Sequence, residues 1–345
     1  MSAYSECAEM SAGSGAPPRR ADREAAPHPR TRAGLPGGRT RVSIVGGAGG
    51  VGSALTRDLI ASRSGYEISL LGRRSESVTC QLMDLEALEP FGHASLVRRG
   101  DIGGLPDSDV IVIAASVPFS PQKKRIGFLH DNAEILRPYF RAIARLPEHW
   151  PGRVVVVSNP VDVLATWLQN SARIDPRRIV GYSWNDSLRL RVAVARVLGI
   201  DPRHVEAWII GEHGDLCVPL LDHVRVAGRQ VRLGPDERAA VLTLVREWYP
   251  RWVALGLART TVWSTAAGVS RMIREAEQGG PADCAVSVSL QGEYGLRGVS
   301  LGLPVSLEAA GLPRVREFPL TRHEHDVLRG AATAVQRQAR ALGPL

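Results

Sequence analysis

Residues 41–55 read RVSIVGGAGGVGSAL, and this segment is the most informative about the fold of the chain. It begins as a short apolar β run and passes into a turn in which Gly47, Gly49 and Gly52 satisfy the pattern GxGxxG. Such a turn alone is weak evidence, because a glycine-rich chain also forms tight turns that bind nothing. Its place between a strand and a helix predicts a phosphate-binding turn, since bare amides at a helix N-terminus bind a pyrophosphate. The residues predicted to face that ligand are Gly46, Gly47, Gly49, Gly50, Val51 and Gly52.

Apolar β runs alternate with helical periods from Arg41 onward. The runs are RVSIVG (41–46), EISLLG (67–72), DVIVIAAS (109–116) and RVVVVSNP (153–160). Alternation of this kind predicts a parallel sheet that is covered by helices on both faces. We therefore expect a doubly wound parallel-sheet, or Rossmann, dinucleotide-binding domain over residues 41–181.

The second half of the chain, residues 182–345, is predicted to form a mixed α/β catalytic domain. A strongly periodic helix is expected at 186–199, followed by AWIIGEHGD (207–215), a long helix around 236–276 and β-like stretches at 284–290 and 299–307. A closing helix is predicted to begin at the capping box formed by Thr321 and Glu324.

The segment SLLGRRSE, residues 69–76, indicates which dinucleotide binds. It lies about 20 residues after the glycine turn, where an Asp or Glu in this fold normally holds the ribose hydroxyls of NAD. This chain has Gly72 there, followed by Arg73, Arg74 and Ser75. A carboxylate would repel a ribose 2′-phosphate, whereas two guanidinium groups and a hydroxyl donate to one. The segment predicts NADP, with NAD as the alternative; without the glycine turn it would indicate only a solvated loop.

The composition excludes several functional classes. The 345 residues are 44% hydrophobic and 23% charged, and no apolar run approaches the ~20 residues that span a bilayer, so we expect no membrane role. The net charge of +8 comes from dispersed arginines without an aromatic-interleaved stripe, which argues against nucleic-acid binding. The four cysteines form no CxxC pair, so we expect no metal site and a cytoplasmic location.

Residues 1–40 differ from the rest, because they are rich in Ala, Gly, Pro and Arg and nearly lack large aliphatic side chains. Such a segment buries too little surface to offset its ordering entropy, so we expect a disordered extension. An organelle transit peptide is the alternative. Glu6, Glu9, Asp22 and Glu24 argue against it, since those peptides avoid acidic residues.

Four further motifs are predicted to border one cleft at loop positions. They are VPFSPQKKRIGF (117–128), SNPVDV (158–163), DSLR (186–189) and GEHGD (211–215). With the glycine turn, they make the chain resemble the lactate/malate dehydrogenase family from about Arg41 to Arg340, and the GRRS turn resembles that of its NADP-using malate dehydrogenase branch. The resemblance implies an NADP(H)-dependent 2-hydroxy acid dehydrogenase that acts on a small 2-oxo or 2-hydroxy acid and forms a homodimer or homotetramer.

The resemblance also implies a role for individual residues. His213 matches the catalytic histidine that exchanges the hydroxyl proton, and Asp186 matches the carboxylate that orients it. Arg189 matches the arginine that binds the substrate carboxylate, and Arg125 the loop arginine that polarises the substrate carbonyl. Asn159 is assigned to both substrate and cofactor, Asn132 to the cofactor and Thr261 to the substrate pocket. On their own, Asp186 would indicate a helix N-cap and Arg125 a solvated loop arginine.

Phe119 is where the chain departs from the family. Six residues before the loop arginine, malate enzymes typically carry an arginine and lactate enzymes a glutamine. A phenylalanine cannot pair with a second carboxylate, so we expect Phe119 to contact the variable end of the substrate and to favour apolar side chains over oxaloacetate. The competing hypothesis is that Lys123 or Lys124 supplies the missing cation.

Two other functions stay open from the sequence. NAD-dependent, metal-requiring glycosidases share this fold ancestry and use Cys and His ligands, but Cys217, four residues after His213, has no evident second ligand. A non-catalytic NADP(H)-sensing protein would keep the scaffold, although it would not need the set of one Asp, one His and two Arg.

Overall fold

The computed structural model describes residues 38–62, 65–93, 95–118, 120, 125–257, 259–278, 282–307 and 312–345. The helices in these ranges are α1 (Gly50–Ile60), α2 (Ser75–Glu86), α3 (Arg125–Ala144), α4 (Val161–Gln169), α5 (Trp184–Leu198), α6 (Pro235–Ala254), α7 (Trp263–Gln278) and α8 (Arg322–Ala341). The strands are β1 (Thr40–Val45), β2 (Tyr66–Leu71), β3 (Leu96–Arg99), β4 (Val110–Ile113), β5 (Arg153–Val156), β6 (Ile179–Tyr182), β7 (Val205–Glu206), β8 (Ile209–Gly211), β9 (Cys217–Pro219), β10 (Arg225–Val226), β11 (Arg229–Gln230), β12 (Ala282–Gln291), β13 (Arg297–Leu307) and β14 (Pro313–Val315).

Parallel strands form the first half of the main sheet, in the order β3, β2, β1, β4, β5, β6. This is the strand order of a doubly wound dinucleotide-binding fold, which confirms the predicted Rossmann architecture. The central strand β4 is apolar and buried at every position, because helices cover both faces of the sheet. The winding reverses between β1 and β4, and ligands of such sheets bind in the crevice at that reversal.

Antiparallel strands continue the same sheet in the second half. β6 pairs with β12, β12 with the long strand β13, and β13 with β8 and β14. β8 in turn pairs with β9, and the turn between them contains GEHGD. The mixed α/β half thus follows the parallel half, as predicted. The turn that contains GEHGD joins two strands of the same sheet.

Local sequence explains where two of the helices begin or end. Gly199 ends α5 at a φ of 66°, a left-handed conformation that glycine adopts without a Cβ clash. At the start of α8, Thr321 Oγ1 accepts from the Glu324 amide at 3.3 Å, and Glu324 Oε2 accepts from the Thr321 amide at 2.7 Å. This confirms the predicted capping box.

The expectation of one long helix around residues 236–276 is wrong. α6 ends at Ala254 and α7 begins at Trp263. Gly256 lies between them with a φ of +68°, and a residue in the left-handed region cannot belong to a right-handed helix. The break matters for the site, because it lets α6 and the segment before α7 face the same space.

The polar loop predicted over residues 117–128 is also shorter than expected, because α3 already begins at Arg125. Buried apolar side chains at Leu129, Ala133, Leu136 and Phe140 follow a spacing of three or four residues. That spacing places them on one helix face, so the helical pattern accounts for a start within the predicted loop.

The predicted N-terminal extension lies, up to residue 37, outside the described residues. β1 begins at Thr40, the last residue of the predicted extension. Within the described ranges, no helix combines the length and the apolar character needed to cross a bilayer.

Candidate active site

The GEHGD turn joins β8 to β9 and carries His213. Gly211 has a φ of +98°, and a Cβ there would lie 2.7 Å from the carbonyl oxygen of Leu216, so only glycine fits this position. The Glu212 amide donates to the Leu216 carbonyl at 3.3 Å, and the Gly214 amide donates to the Glu212 carbonyl at 2.7 Å. These hydrogen bonds fix the backbone on either side of His213.

His213 lies against Asp186, in the first turn of α5. The distance from His213 Nδ1 to Asp186 Oδ2 is 2.5 Å, and Asp186 Oδ1 accepts from Arg189 Nη1 at 3.1 Å. Asp186 and Arg189 are three residues apart and therefore share a helix face. The side chains of His213, Asp186 and Arg189 are 16%, 19% and 20% exposed. One carboxylate thus joins the three predicted residues in a partly buried group, where charges interact more strongly than at an open surface.

Asp162, at the start of α4, contacts His213 from the backbone side. Its Oδ2 accepts from the His213 amide at 2.6 Å, and the residue is only 2% exposed. Burial raises the pKa of Asp162 to about 6, against the opposing effects of the Ser287 hydroxyl and the His213 amide. Asp162 is part of the SNPVDV motif, but nothing in the sequence alone assigned it a role.

A cavity of about 620 Å³ opens beside these residues. The predicted site residues that line it are Val51, Asn132, Asn159, Asp186, Arg189, His213 and Thr261. The helix α6 contributes a wall that the sequence did not predict, made of Leu242, Val245, Arg246, Trp248, Tyr249, Pro250 and Trp252. The structure therefore brings the predicted proton-transfer residues and the predicted carboxylate-binding arginine to one cavity.

Asn132 connects two of the loops that border the cavity. Its Oδ1 accepts from the Val117 amide at 2.8 Å, and its Nδ2 donates to the Asn159 carbonyl at 2.7 Å. Thr261 lies on another side of the cavity, where its carbonyl accepts from Thr265 Oγ1 at 2.8 Å. The predicted pocket residues are thus held by hydrogen bonds to their neighbours.

The glycine turn, residues 46–52, and the arginine turn, residues 72–75, lie side by side at the ends of β1 and β2. The amides of Gly46 and Gly47 both donate to the Leu71 carbonyl, at 2.8 and 3.1 Å. A Cβ at Gly46 would lie 2.6 Å from the backbone nitrogen of Ala115, so the turn packs too closely for a side chain. Val51, in the first turn of α1, reaches the cavity. A helix N-terminus between an arginine pair and the cavity fits the phosphates of a dinucleotide.

The other predicted cofactor residues of these two turns lie outside the cavity lining: Gly46, Gly47, Gly49, Gly50, Gly52, Arg73, Arg74 and Ser75. Arg73, Arg74 and Ser75 are exposed. Arg99, at the end of β3, is a third arginine beside the arginine turn. Its Nη2 donates to the Ser75 carbonyl at 2.9 Å, and the same group contacts the Thr79 hydroxyl. Sequence reasoning missed Arg99 because β3, with the sequence LVRR, has no clear apolar run.

Several predicted residues cannot be placed. Phe119, Lys123 and Lys124 lie outside the described residues, and of Arg125 only the backbone is described, as the first residue of α3. Across the described ranges, no group of three or more His, Cys, Asp or Glu side chains is arranged to hold a metal ion.

The doubly wound sheet, its glycine turn and the His213–Asp186 pair define a dinucleotide-binding protein with an acid–base site. Residues 40–181 match the family model described as the lactate/malate dehydrogenase NAD binding domain. Residues 185–340 match the model of the lactate/malate dehydrogenase alpha/beta C-terminal domain. The chain therefore belongs to the lactate/malate dehydrogenase family, which confirms the resemblance inferred from the motifs.

Individual relatives agree with this membership. The chain is 34% identical to a malate dehydrogenase of Halobacterium salinarum over 302 residues, covering 84% of this chain and 96% of that protein. It is 30% identical to an L-lactate dehydrogenase of Gloeobacter violaceus over 299 residues, covering 84% and 90%. The fold is similar to that of the Cryptosporidium parvum malate dehydrogenase, with a TM-score of 0.78 at 22% identity over 88% of this chain and 99% of the other. These relatives include both malate and lactate enzymes.

Proposed function

We propose that this protein is an NADP(H)-dependent 2-hydroxy acid dehydrogenase that interconverts a 2-oxo acid and its 2-hydroxy acid. The observation that carries the proposal is the shared Asp186 carboxylate, which contacts His213 with one oxygen and Arg189 with the other at the wall of one cavity. A proton-transfer group and a carboxylate-binding group are thereby held at a short separation, as the reduction of a 2-oxo acid requires.

In the proposed reaction, Arg189 binds the substrate carboxylate through its planar fork. The nicotinamide, when bound, supplies or accepts the hydride. During reduction, the His213 imidazolium gives its proton to the carbonyl oxygen; during oxidation, the neutral imidazole takes the hydroxyl proton. Because Nδ1 faces Asp186, we assign this proton transfer to Nε2. The Asp186 carboxylate fixes the ring orientation and stabilises the imidazolium. Arg125 is proposed to polarise the carbonyl, and Asn159 and Thr261 to border the reacting end.

The preference for NADP rests on charge. Arg73 and Arg74 follow β2 directly, the exposed Gly72 replaces the usual acid, and Arg99 lies next to Ser75. These arginines favour a 2′-phosphate over the two ribose hydroxyls of NAD. The glycine residues 46, 47, 49, 50 and 52 are proposed to cradle the pyrophosphate at the start of α1, with Asn132 on the nicotinamide side.

We further propose a cytoplasmic homodimer or homotetramer with two functional halves, 41–181 for the cofactor and 182–345 for the substrate. Large apolar side chains that stay exposed in a single chain are consistent with an interface between copies; examples are Met83, Phe91, Val192 and Trp263.

The family membership favours this reading over the metal-requiring glycosidase. Oxidation of NADPH in the presence of a 2-oxo acid would distinguish a dehydrogenase from a non-catalytic sensor. The test is steady-state NADPH oxidation with oxaloacetate, pyruvate and 2-oxoisocaproate, each with and without a chelator. We expect turnover that resists chelation and, because of Phe119, a higher kcat/KM with the apolar 2-oxo acids than with oxaloacetate.

Three other outcomes of this test would each support a different conclusion. No turnover with any 2-oxo acid would support the sensor, and activity lost on chelation would support a metal-dependent enzyme. A clear oxaloacetate preference that disappears when Lys123 or Lys124 is neutralised would show that a lysine, and not Phe119, determines the selectivity.

A further inference from the structure

Trp248, on α6, lies against the side chain that is proposed to bind the substrate carboxylate. The Arg189 guanidinium carbon is 3.7 Å from the centroid of the Trp248 ring. At that distance the cation lies on the ring face and interacts with its π electrons. Both residues line the cavity, and Arg189 is 20% exposed, so water screens the contact only partly.

The indole itself is held in place by its neighbours. Trp248 and Trp252 stack with centroids 5.3 Å apart and ring planes 15° from parallel. The Trp252 Nε1 donates to the Arg259 carbonyl at 3.1 Å, in the segment between α6 and α7. Trp252 therefore holds the Trp248 ring in place, and a carbonyl from the segment between α6 and α7 holds Trp252.

Stacking and hydrogen bonding use different parts of a guanidinium. The Trp248 ring contacts a face, whereas the N–H donors point outward in the plane, where Asp186 Oδ1 accepts one of them at 3.1 Å. The ring contact therefore uses none of the donors that a carboxylate needs. Together, the ring contact and the hydrogen bond to Asp186 restrict the orientation of the guanidinium.

We propose that Trp248 is a positioning residue that orients Arg189 for the substrate carboxylate. This inference rests on the proposed function, because it assigns Trp248 to the carboxylate-binding step. Trp248 acts through Arg189, so its removal raises the KM for the 2-oxo acid and leaves the proton transfer by His213 largely unchanged. We expect the cofactor affinity to stay the same, because the contact of Trp248 is with Arg189, which is proposed to bind the substrate and not the cofactor.

The experiment compares Trp248→Leu, Trp248→Phe, Arg189→Lys and the double variant Trp248→Leu/Arg189→Lys. For Trp248→Leu we expect a KM about tenfold higher for the best 2-oxo acid of the wild type, and a kcat changed less than about threefold. Trp248→Phe keeps a ring and recovers most of the loss. The double variant has a KM within about twofold of Arg189→Lys, because the two residues act in one step.

Phe318→Leu is the matched control. It removes another arginine–aromatic contact, between Arg316 and Phe318 at 5.0 Å, and in the described part of the chain neither residue lines the cavity. We expect its KM to equal that of the wild type. Thermal midpoints and NADPH Kd values, measured for all variants, show whether each one is folded and binds the cofactor.

Binding of oxamate to the NADPH-loaded protein, measured by calorimetry, tests the same step without turnover. We expect Trp248→Leu to weaken this binding about tenfold. An unchanged KM and oxamate Kd in Trp248→Leu, or additive effects in the double variant, would overturn the positioning role while leaving the dehydrogenase function intact. A wild type that neither reduces a 2-oxo acid nor binds oxamate would overturn both.

Discussion

Among single residues, Asp186 contacts both His213 and Arg189. From the sequence without the family resemblance, an aspartate at the start of a helix would have indicated only an N-cap. Asp186 and Arg189 are three positions apart, and this spacing predicted that they share a helix face. The contact with His213 depends on a turn 27 positions later in the chain, so only the fold places it. The family resemblance supplied the pairing of Asp186 with His213, and the structure supplies the 2.5 Å distance between them.

Replacing His213 with Asn should remove most turnover and leave cofactor binding intact, because the imidazole is proposed to act on the proton and not on the dinucleotide. We expect kcat to fall by about 10²–10⁴-fold. The measurement is steady-state kinetics together with the Kd for NADPH. His223→Asn is the control, since His223 bonds the Pro319 carbonyl at 2.8 Å and lies outside the cavity lining. Wild-type kcat in His213→Asn would make His213 a structural residue.

Asp162 links the site to the pH dependence of stability. Burial raises its pKa from the ordinary 3.8 to about 6, so the folded protein binds this proton more tightly than the unfolded chain does. The free energy of unfolding therefore falls as pH rises from about 4 to about 6, and the loss is complete above that range. The largest loss such a difference permits is about 3 kcal/mol.

Asp162→Asn keeps an oxygen for the His213 amide and cannot ionise. We expect the variant to gain stability over the wild type as pH increases from 4 to 7, and the gain to level off above about pH 6. Thermal or denaturant unfolding of both proteins across this pH range is the measurement. A stability difference that stays constant with pH, or that turns against the variant at pH 7, would contradict the raised pKa.

At the scale of elements, the strongly periodic segments were predictable and the breaks were not. The starts of β1, β2, β4 and β5 fall within one residue of the predicted runs, because buried parallel strands are rich in apolar residues. The strands β3 and β6 were not predicted, since each is short and carries polar or glycine residues. The break between α6 and α7 depends on the φ of Gly256, and a helical apolar pattern continues on both sides of it.

Among these elements, the arginine turn before α2 should determine the preference for NADPH over NADH. Arg73→Gln/Arg74→Gln should raise the KM for NADPH by about 100-fold or more and leave the KM for NADH unchanged, because charge-assisted bonds to a phosphate contribute roughly 1.5–3 kcal/mol each. Arg98→Gln is the matched control. Arg98 is the neighbour of Arg99 on β3, points to the opposite face and bonds Ser69 Oγ at 3.3 Å. Equal losses with NADPH and NADH would contradict a 2′-phosphate site.

Full reversal toward NAD needs more than a charge exchange. An acid at position 72 would bind the ribose hydroxyls, but a Cβ on Gly72 would lie 2.9 Å from Val78 Cγ2. The Val78 side chain, buried in α2, must therefore shift to accept Gly72→Asp. The glycine fits the arginine turn both by its size and by its lack of charge.

For the whole molecule, the fold class followed from the sequence, and the grouping of His213 with Asp186 and Arg189 followed from the family resemblance. The cavity wall formed by α6 was not predicted. The motifs lie at strand and helix ends, where a doubly wound sheet concentrates its loops. The aromatic wall comes from the middle of α6, where Trp248 and Trp252 resemble any helix-spaced apolar pair. Asp162 and Arg99 were also not predicted as site residues, because their partners are distant in the sequence.

Hydride transfer from the nicotinamide to the carbonyl carbon of a 2-oxo acid can be followed with an isotope label. NADPH that carries deuterium at the transferable position of the nicotinamide is incubated with the protein and a 2-oxo acid, and the product is analysed by mass spectrometry. We expect the wild type to form a 2-hydroxy acid with one deuterium on C2, and His213→Asn to form almost none. A wild type that yields no deuterated 2-hydroxy acid from any 2-oxo acid would contradict the proposed dehydrogenase activity.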